Sequence, residues 1–188
     1  MSELINQIKA YITVDRVLEE ALHQRFQKRG LRKKEQFIKE GQHHVALAFV
    51  ESGILRCYNI RESRDTTNDF FFENTFVTDY SSFLNLQPAR QNFEAIEDTV
   101  LLTISREELF GLAEKFPDLR LWGAKMAETL FSQSLDSHAI TKSESPEERY
   151  NRILVERPEI INRVPLHYVA SYLAITQVHL SRIRNKRA

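Results

Sequence analysis

The chain has 188 residues, with 26 Lys and Arg balancing 26 Asp and Glu. That length accommodates one large domain or two small ones, and zero formal charge means that any nucleic-acid affinity must come from a local asymmetry. A single cysteine, Cys57, excludes an intrachain disulfide and a cysteine-ligated iron–sulfur cluster within one chain. The opening residues lack the basic-then-apolar pattern of a signal peptide. No apolar run approaches the roughly 20 residues that span a bilayer. A cytoplasmic protein without membrane association is therefore expected.

From Ser2 to about Phe26, apolar residues recur at helical spacing: Leu4, Ile5, Ile8 and Ile12, then Val17, Leu18 and Leu22. One or two short helices follow from this spacing. Residues 27 to 104 change to strand character. Val45 to Val50 is a short apolar run, Ser52-Gly53 marks a turn, and Ile54 to Ile60 follows as a β-type stretch. Thr66 to Phe72, Phe93 to Ile96 and Val100 to Ile104 complete the predicted strands. Short strands between turn signals predict a sandwich or barrel.

Ser105 and Glu108 have the spacing of a capping box, in which each side chain satisfies a free backbone N–H of the other. The helix it opens should run to about Phe116, where Pro117 stops it and Asp118 is placed to cap the next. A long helix over Leu119 to about Ile140 is predicted, with Leu119, Trp122, Met126, Leu130 and Phe131 on or near one stripe. A second capping box, Ser145 with Glu148, carries Pro146 at the first helical position. The polar stretch from Thr141 to Ser145 reads as the linker between domains.

The last segment is the most specific. Val169, Leu173, Ile175, Leu180 and Ile183 are spaced as the shared apolar seam of a helix-turn-helix. Ala170 is small where the helices approach, Pro165 suits a first turn, and Thr176 can cap the second helix. Ala174 stands in the turn where glycine is usual, at a cost of roughly 1 kcal/mol. After Glu159 there is no acidic residue, while Arg163, Arg182, Arg184, Lys186 and Arg187 remain. A basic helix end beside such a seam is the electrostatic footprint of DNA contact.

The order of a small β-rich domain, a long helix and a terminal helix-turn-helix resembles the Crp/Fnr superfamily of transcription regulators. The segment from Gly41 to Tyr58, with Gly53 at its turn, is similar to that family's early β-hairpin. The stretch from Glu94 to Ile104 resembles its closing strands. The resemblance implies an α+β chain. An N-terminal double-stranded β-helix (a β-roll or jelly roll) would occupy residues 1–117, a dimerisation helix 118–142, and a small helix-turn-helix domain 145–188. It also implies a homodimer that binds double-stranded DNA at an inverted repeat. The final hairpin of winged members is expected to be missing, because the sequence stops at Ala188.

The family's nucleotide-binding members use a phosphate-binding cassette with a Gly-Glu pair before a short helix and an Arg-Ser pair after it. Here Val77 stands at the glycine, Thr78 at the glutamate, Ala89 at the arginine and Arg90 at the serine. A one-residue slip turns a side chain to the other face. Arg90 is a phosphate ligand only if the loop absorbs that slip, and otherwise an exposed loop arginine. Cyclic AMP is accordingly not the expected effector.

By match to the motif, Gln177, Val178 and Arg182 are the expected base-edge readers, since Gln can bond adenine bidentately and Arg guanine. Thr176, Ser181, Arg184 and Lys186 are suited to phosphates. Phe72, Phe76 and Tyr80, with Arg90, could line a pocket for an unknown small effector; the rival reading of the aromatic cluster is plain core. His43, His44 and Glu51 are read as a solvated turn rather than a metal site, because adjacent strand residues point oppositely. No cofactor, metal or catalytic constellation is expected. The alternative to a DNA-binding regulator is a ligand-sensing β-roll acting through protein contacts alone. A cupin-like metalloenzyme would need a ligand cluster that the sequence lacks.

Overall fold

The computed structural model describes residues 1–62 and 64–185, with the backbone alone at Arg64 and over 133–143. The described residues form two compact units that do not follow chain order. One comprises Met1–Cys57 with Phe70–Thr129, the other Tyr58–Asp69 with the residues from Leu130 onward.

The first unit opens with two helices, α1 (Ser2–Lys9) and α2 (Arg16–Arg25). Asp15 starts α2 by accepting the Leu18 N–H at 2.8 Å, which satisfies one of the donors that a helix start leaves open. Leu4, Ile5, Ile8, Leu18 and Leu22 turn inward and share one core with the strands that follow. Those strands are β1 (Gln27–Leu31), β2 (Gln36–Ile38), β3 (Leu47–Ser52), β4 (Leu55–Arg61), β5 (Arg64–Phe71), β6 (Phe76–Val77), β7 (Asn92–Ala95) and β8 (Thr99–Ile104). A short helix, α3 (Tyr80–Asn85), lies between β6 and β7.

They build two four-stranded sheets, in the orders β1-β8-β3-β6 and β2-β7-β4-β5. The pairings of β1 and β3 with β8, β3 with β6, and β2 with β7 are antiparallel. The architecture is the predicted α+β chain with a jelly-roll-like β domain. The strands seen in the sequence recur within a few residues of their expected ends, whereas β1, β2 and β6 were not anticipated. β1 exposes Gln27, Lys28, Arg29 and Gly30 and buries only Leu31, so it has no apolar alternation to read. Its Lys and Arg suit an edge strand, where charge discourages pairing with another chain.

Gly53 makes the β3–β4 turn at φ +90°, and a Cβ there would lie 2.5 Å from Thr99 Oγ1 and 2.7 Å from the Asp98 carbonyl oxygen. Both conformation and space therefore require glycine. Within β4, Arg56 is 1% exposed and pairs with Glu94 of β7 at 3.1 Å, so a cation normally kept in water is held by a carboxylate.

α4 (Arg106–Lys115) starts at the expected capping box: Glu108 N–H donates to Ser105 Oγ at 3.1 Å, and Ser105 N–H to Glu108 Oε2 at 3.2 Å. α5 (Asp118–Ser143) has 26 residues, about 39 Å of helix. Two expectations are corrected here. Asp118 does not cap α5 but is its first residue, where its charge meets the positive end of the helix dipole. The polar linker is shorter than expected, because Thr141, Lys142 and Ser143 continue the helix; none of the three is a helix breaker, and Glu144 and Ser145 alone separate it from α6. No described helix is long and apolar enough to cross a membrane.

Candidate nucleic-acid interface

The second unit contains α6 (Pro146–Glu156), α7 (Pro158–Arg163), α8 (Leu166–Tyr172) and α9 (Gln177–Asn185). α6 begins at the second capping box, with Glu148 N–H to Ser145 Oγ at 3.3 Å and Ser145 N–H to Glu148 Oε2 at 2.7 Å. The Ser145 contacts hold the Glu148 carboxyl below its ordinary value of 4.5.

α8 and α9 make the helix-turn-helix pair. Pro165 precedes α8 as its cap residue. Val169, Ala170, Leu173, Leu180 and Ile183 are buried to 3% exposure or less, and Ile175 is half-buried. Ala174 sits in the turn at φ +55°. The Ile175 N–H reaches the Ala170 carbonyl and the Ala174 N–H the Ser171 carbonyl, both at 3.0 Å. These two bonds close the end of α8 in the manner of a Schellman motif, which offsets the strain of a left-handed alanine. Arg149 of α6 adds a charge-assisted bond from Nη2 to the Leu173 carbonyl at 2.9 Å, again at the negative end of α8. Thr176 accepts the His179 N–H at 3.2 Å and caps α9.

With Leu180 and Ile183 turned into the seam, α9 presents the rest of its circumference to solvent. Gln177, Val178, Ser181, Arg182 and Arg184 are all exposed, as is Thr176 before them. Val178 is 63% exposed, an apolar side chain left in water on a polar helix face. His179 shares this exposure and was not among the candidates. Lys186 lies outside the described residues.

A contact that no local pattern announces joins the β4–β5 tip to these helices. Arg157 Nη1 donates to Asp69 Oδ1 at 2.7 Å, and it lies 3.4 Å from the Tyr172 hydroxyl. The Thr67 N–H donates to Ser171 Oγ at 2.9 Å. Burial opposes the Arg157 charge, but Asp69, Tyr172 and Glu159 together outweigh it and the guanidinium titrates above its ordinary value. Burial, reinforced by Asp69, also raises the Tyr172 phenol.

In the first unit the cassette positions have local uses. Val77 pairs with Ala48 in β6. Thr78 donates its hydroxyl to the Ala46 carbonyl at 2.9 Å. Ala89 is buried and exchanges backbone bonds with Gly41 and Gln42, each at 2.8 Å. The Arg90 side chain is exposed, while its N–H donates to Asp79 Oδ2 at 2.7 Å. Asp79 Oδ1 accepts from Ser82 N–H at 3.2 Å and Ser82 Oγ at 2.8 Å. Asp79 was not singled out from sequence, yet its 5% exposed carboxylate gathers the donors at the start of α3 and at Arg90.

The expected pocket residues separate. Phe76 packs edge-on against Phe49 and Trp122, each at 5.1 Å between ring centres. Tyr80 lines a groove beside α5 with Phe83 and Trp122, and neither Phe72 nor Arg90 belongs to that lining. His43 and His44 are exposed in a turn, and the described residues hold no group of three or more His, Cys, Asp or Glu fit to bind a metal ion.

Residues 28–116, which run from the second residue of β1 to the end of α4, match the profile of the cyclic nucleotide-binding domain family. The match lies within the roll, which is similar to that domain. FixK2 from Bradyrhizobium japonicum superposes with a TM-score of 0.70 at 19% identity, over 86% of this chain and 83% of its own. CLP of Xanthomonas campestris, a c-di-GMP-responsive global regulator, gives 0.69 at 16% identity, over 92% and 91%. CooA of Carboxydothermus hydrogenoformans gives 0.69 at 18%, over 96% and 82%. No curated protein matches at the level of sequence. These structures share the fold of this chain, the α+β architecture that the resemblance in the sequence implied.

Proposed function

We propose that this protein is a transcription regulator of the Crp/Fnr type. As a homodimer paired along α5, it reads an inverted repeat in DNA with α9 and does not respond to cyclic AMP. The observation that carries the reading is the exposed face of α9, where Gln177, Val178, Ser181 and Arg182 project from a helix whose other side is locked into the seam. Such a helix fits the major groove. Arg182 supplies a pair of donors and Gln177 one donor and one acceptor for base edges, and Val178 an apolar contact for a thymine methyl. Thr176, Ser181, Arg184 and Lys186 serve the phosphates. A twofold dimer sets two such helices about one DNA turn apart.

Independence from cyclic AMP follows from the cassette. A cyclic phosphate needs an opposed cation and the ribose hydroxyl a fixed acceptor, and burying either unpaired costs several kcal/mol. Here Ala89 offers no cation and the Thr78 hydroxyl is spent on Ala46. The nearby backbone donor of Arg90 is already taken by the Asp79 carboxylate, which would also repel an entering anion.

Gel-shift titration against a genomic fragment library tests the proposal. Arg182→Ala should lose about 1–3 kcal/mol on the selected site and relax base preference there, whereas Lys186→Ala should weaken all sequences alike. Absence of binding to every fragment would refute the DNA reading. Saturable calorimetric binding of cyclic AMP tighter than about 100 μM, roughly 5.5 kcal/mol, would refute the cassette reading.

A further inference from the structure

A groove of about 470 Å³ runs along the first half of α5, walled by α3 and α4. That size is typical of small-molecule sites. Its walls are mainly apolar, with Phe83, Leu109, Trp122 and Met126 in the lining. Gly123 forms part of the wall, and a Cβ added there would meet nothing within 4 Å. Packing does not demand this glycine, which is a weaker helix former than alanine; its missing side chain leaves the groove open.

Polar groups also line the groove. Thr78 is engaged with Ala46. Tyr80 keeps its proton, because burial raises its phenol, so it can donate. Arg120 and Glu114 both line the groove. Among the described residues neither takes part in an ion pair. Donors therefore outnumber acceptors, and the guanidinium is the group best shaped for a planar two-oxygen partner.

We propose that this groove is a binding site for an amphipathic monocarboxylate. The apolar tail would lie along Trp122, Met126 and the open side of Gly123, and the carboxylate would meet Arg120 with Tyr80 as a second donor. The site is separate from the cassette residues Ala89 and Arg90, and it does not depend on the DNA reading.

Trp122 is the only tryptophan and lies in the wall, so its fluorescence reports occupancy directly. The full chain is titrated with decanoate, decan-1-ol and decylamine below their aggregation limits. Saturable change is expected, with decanoate at least about tenfold tighter than the alcohol or the amine. Arg120→Gln should remove that preference while leaving binding of the alcohol. Gly123→Phe should abolish binding of all three with unchanged far-ultraviolet circular dichroism. Arg120→Gln keeps the test decisive should Gly123→Phe fail to fold. No saturable change, equal affinity for the three head groups, or a preference for the amine through Glu114 would overturn the proposal. So would a groove closed by a second copy of the chain, seen as loss of decanoate binding together with a Gly123→Phe monomer in light scattering.

Discussion

Asp79→Ala is the substitution whose cost the structure defines most fully. The carboxylate is 5% exposed and accepts three bonds, from Ser82 N–H at 3.2 Å, Ser82 Oγ at 2.8 Å and Arg90 N–H at 2.7 Å. A hydrogen bond to a charged group contributes about 1.5–3 kcal/mol, and an orphaned buried donor costs about 1–3 kcal/mol. The three share one acceptor group and do not add fully, so a loss of about 3–5 kcal/mol is expected for Ala. Asn keeps an oxygen for one side and turns an NH2 toward a donor on the other, which should cost about 2–3 kcal/mol on the same scale. Urea unfolding followed by Trp122 fluorescence reads the unit that holds Asp79. At an m-value of about 2 kcal/mol/M, the Ala variant's midpoint should fall by about 2 M. An Ala variant within about 1 kcal/mol of the wild type would show that water serves these donors equally well, and that the carboxylate is not the organiser of the α3 start.

Leu180→Ala, at 1% exposure in the seam, should cost the second unit about 2–5 kcal/mol and abolish specific DNA binding; both are checked by thermal melting and gel shift. Glu148→Gln should weaken the α6 start. The folded carboxyl titrates below 4.5, so its contribution is present above that pH and lost as pH falls through the folded value. The melting difference between wild type and variant should therefore shrink as pH falls below the ordinary carboxyl value of 4.5. Leu130→Glu on α5 should yield monomers by light scattering and lose DNA affinity together, since one half-site cannot hold the protein on its operator.

Local chemistry was legible in the sequence and distant pairing was not. Both capping boxes could be read because a Ser and a Glu three residues apart carry their own geometry. The helix-turn-helix could be read because its seam must recur at fixed spacing, and even the left-handed Ala174 follows from its place in the turn. β1 and β6 carry no such signal, the first because all but Leu31 of its residues are exposed, the second because two residues show no period. Asp79 carries no local signal for a related reason. Its role depends on Arg90, which reaches it from 11 residues away across α3. The bond from Arg157 to Asp69 spans 88 residues, and nothing in either neighbourhood signals the other. The pocket aromatics misled because a run of Phe specifies burial without specifying which surface it faces: Phe76 went to the core against Trp122, and Tyr80 alone of the expected set lines the groove.

The central claim is that α9 binds duplex DNA, and the salt dependence of binding to the selected fragment tests it most directly. Counterion release predicts that log K falls linearly with log salt concentration, with a slope of about −0.9 for each phosphate contacted. On the proposed reading Arg184 and Lys186 in two protomers would supply at least four such contacts, so a slope of about −4 or steeper is expected, made shallower by about two in Lys186→Ala dimers. A flat salt dependence, or a slope unchanged by removing Lys186, would contradict the account.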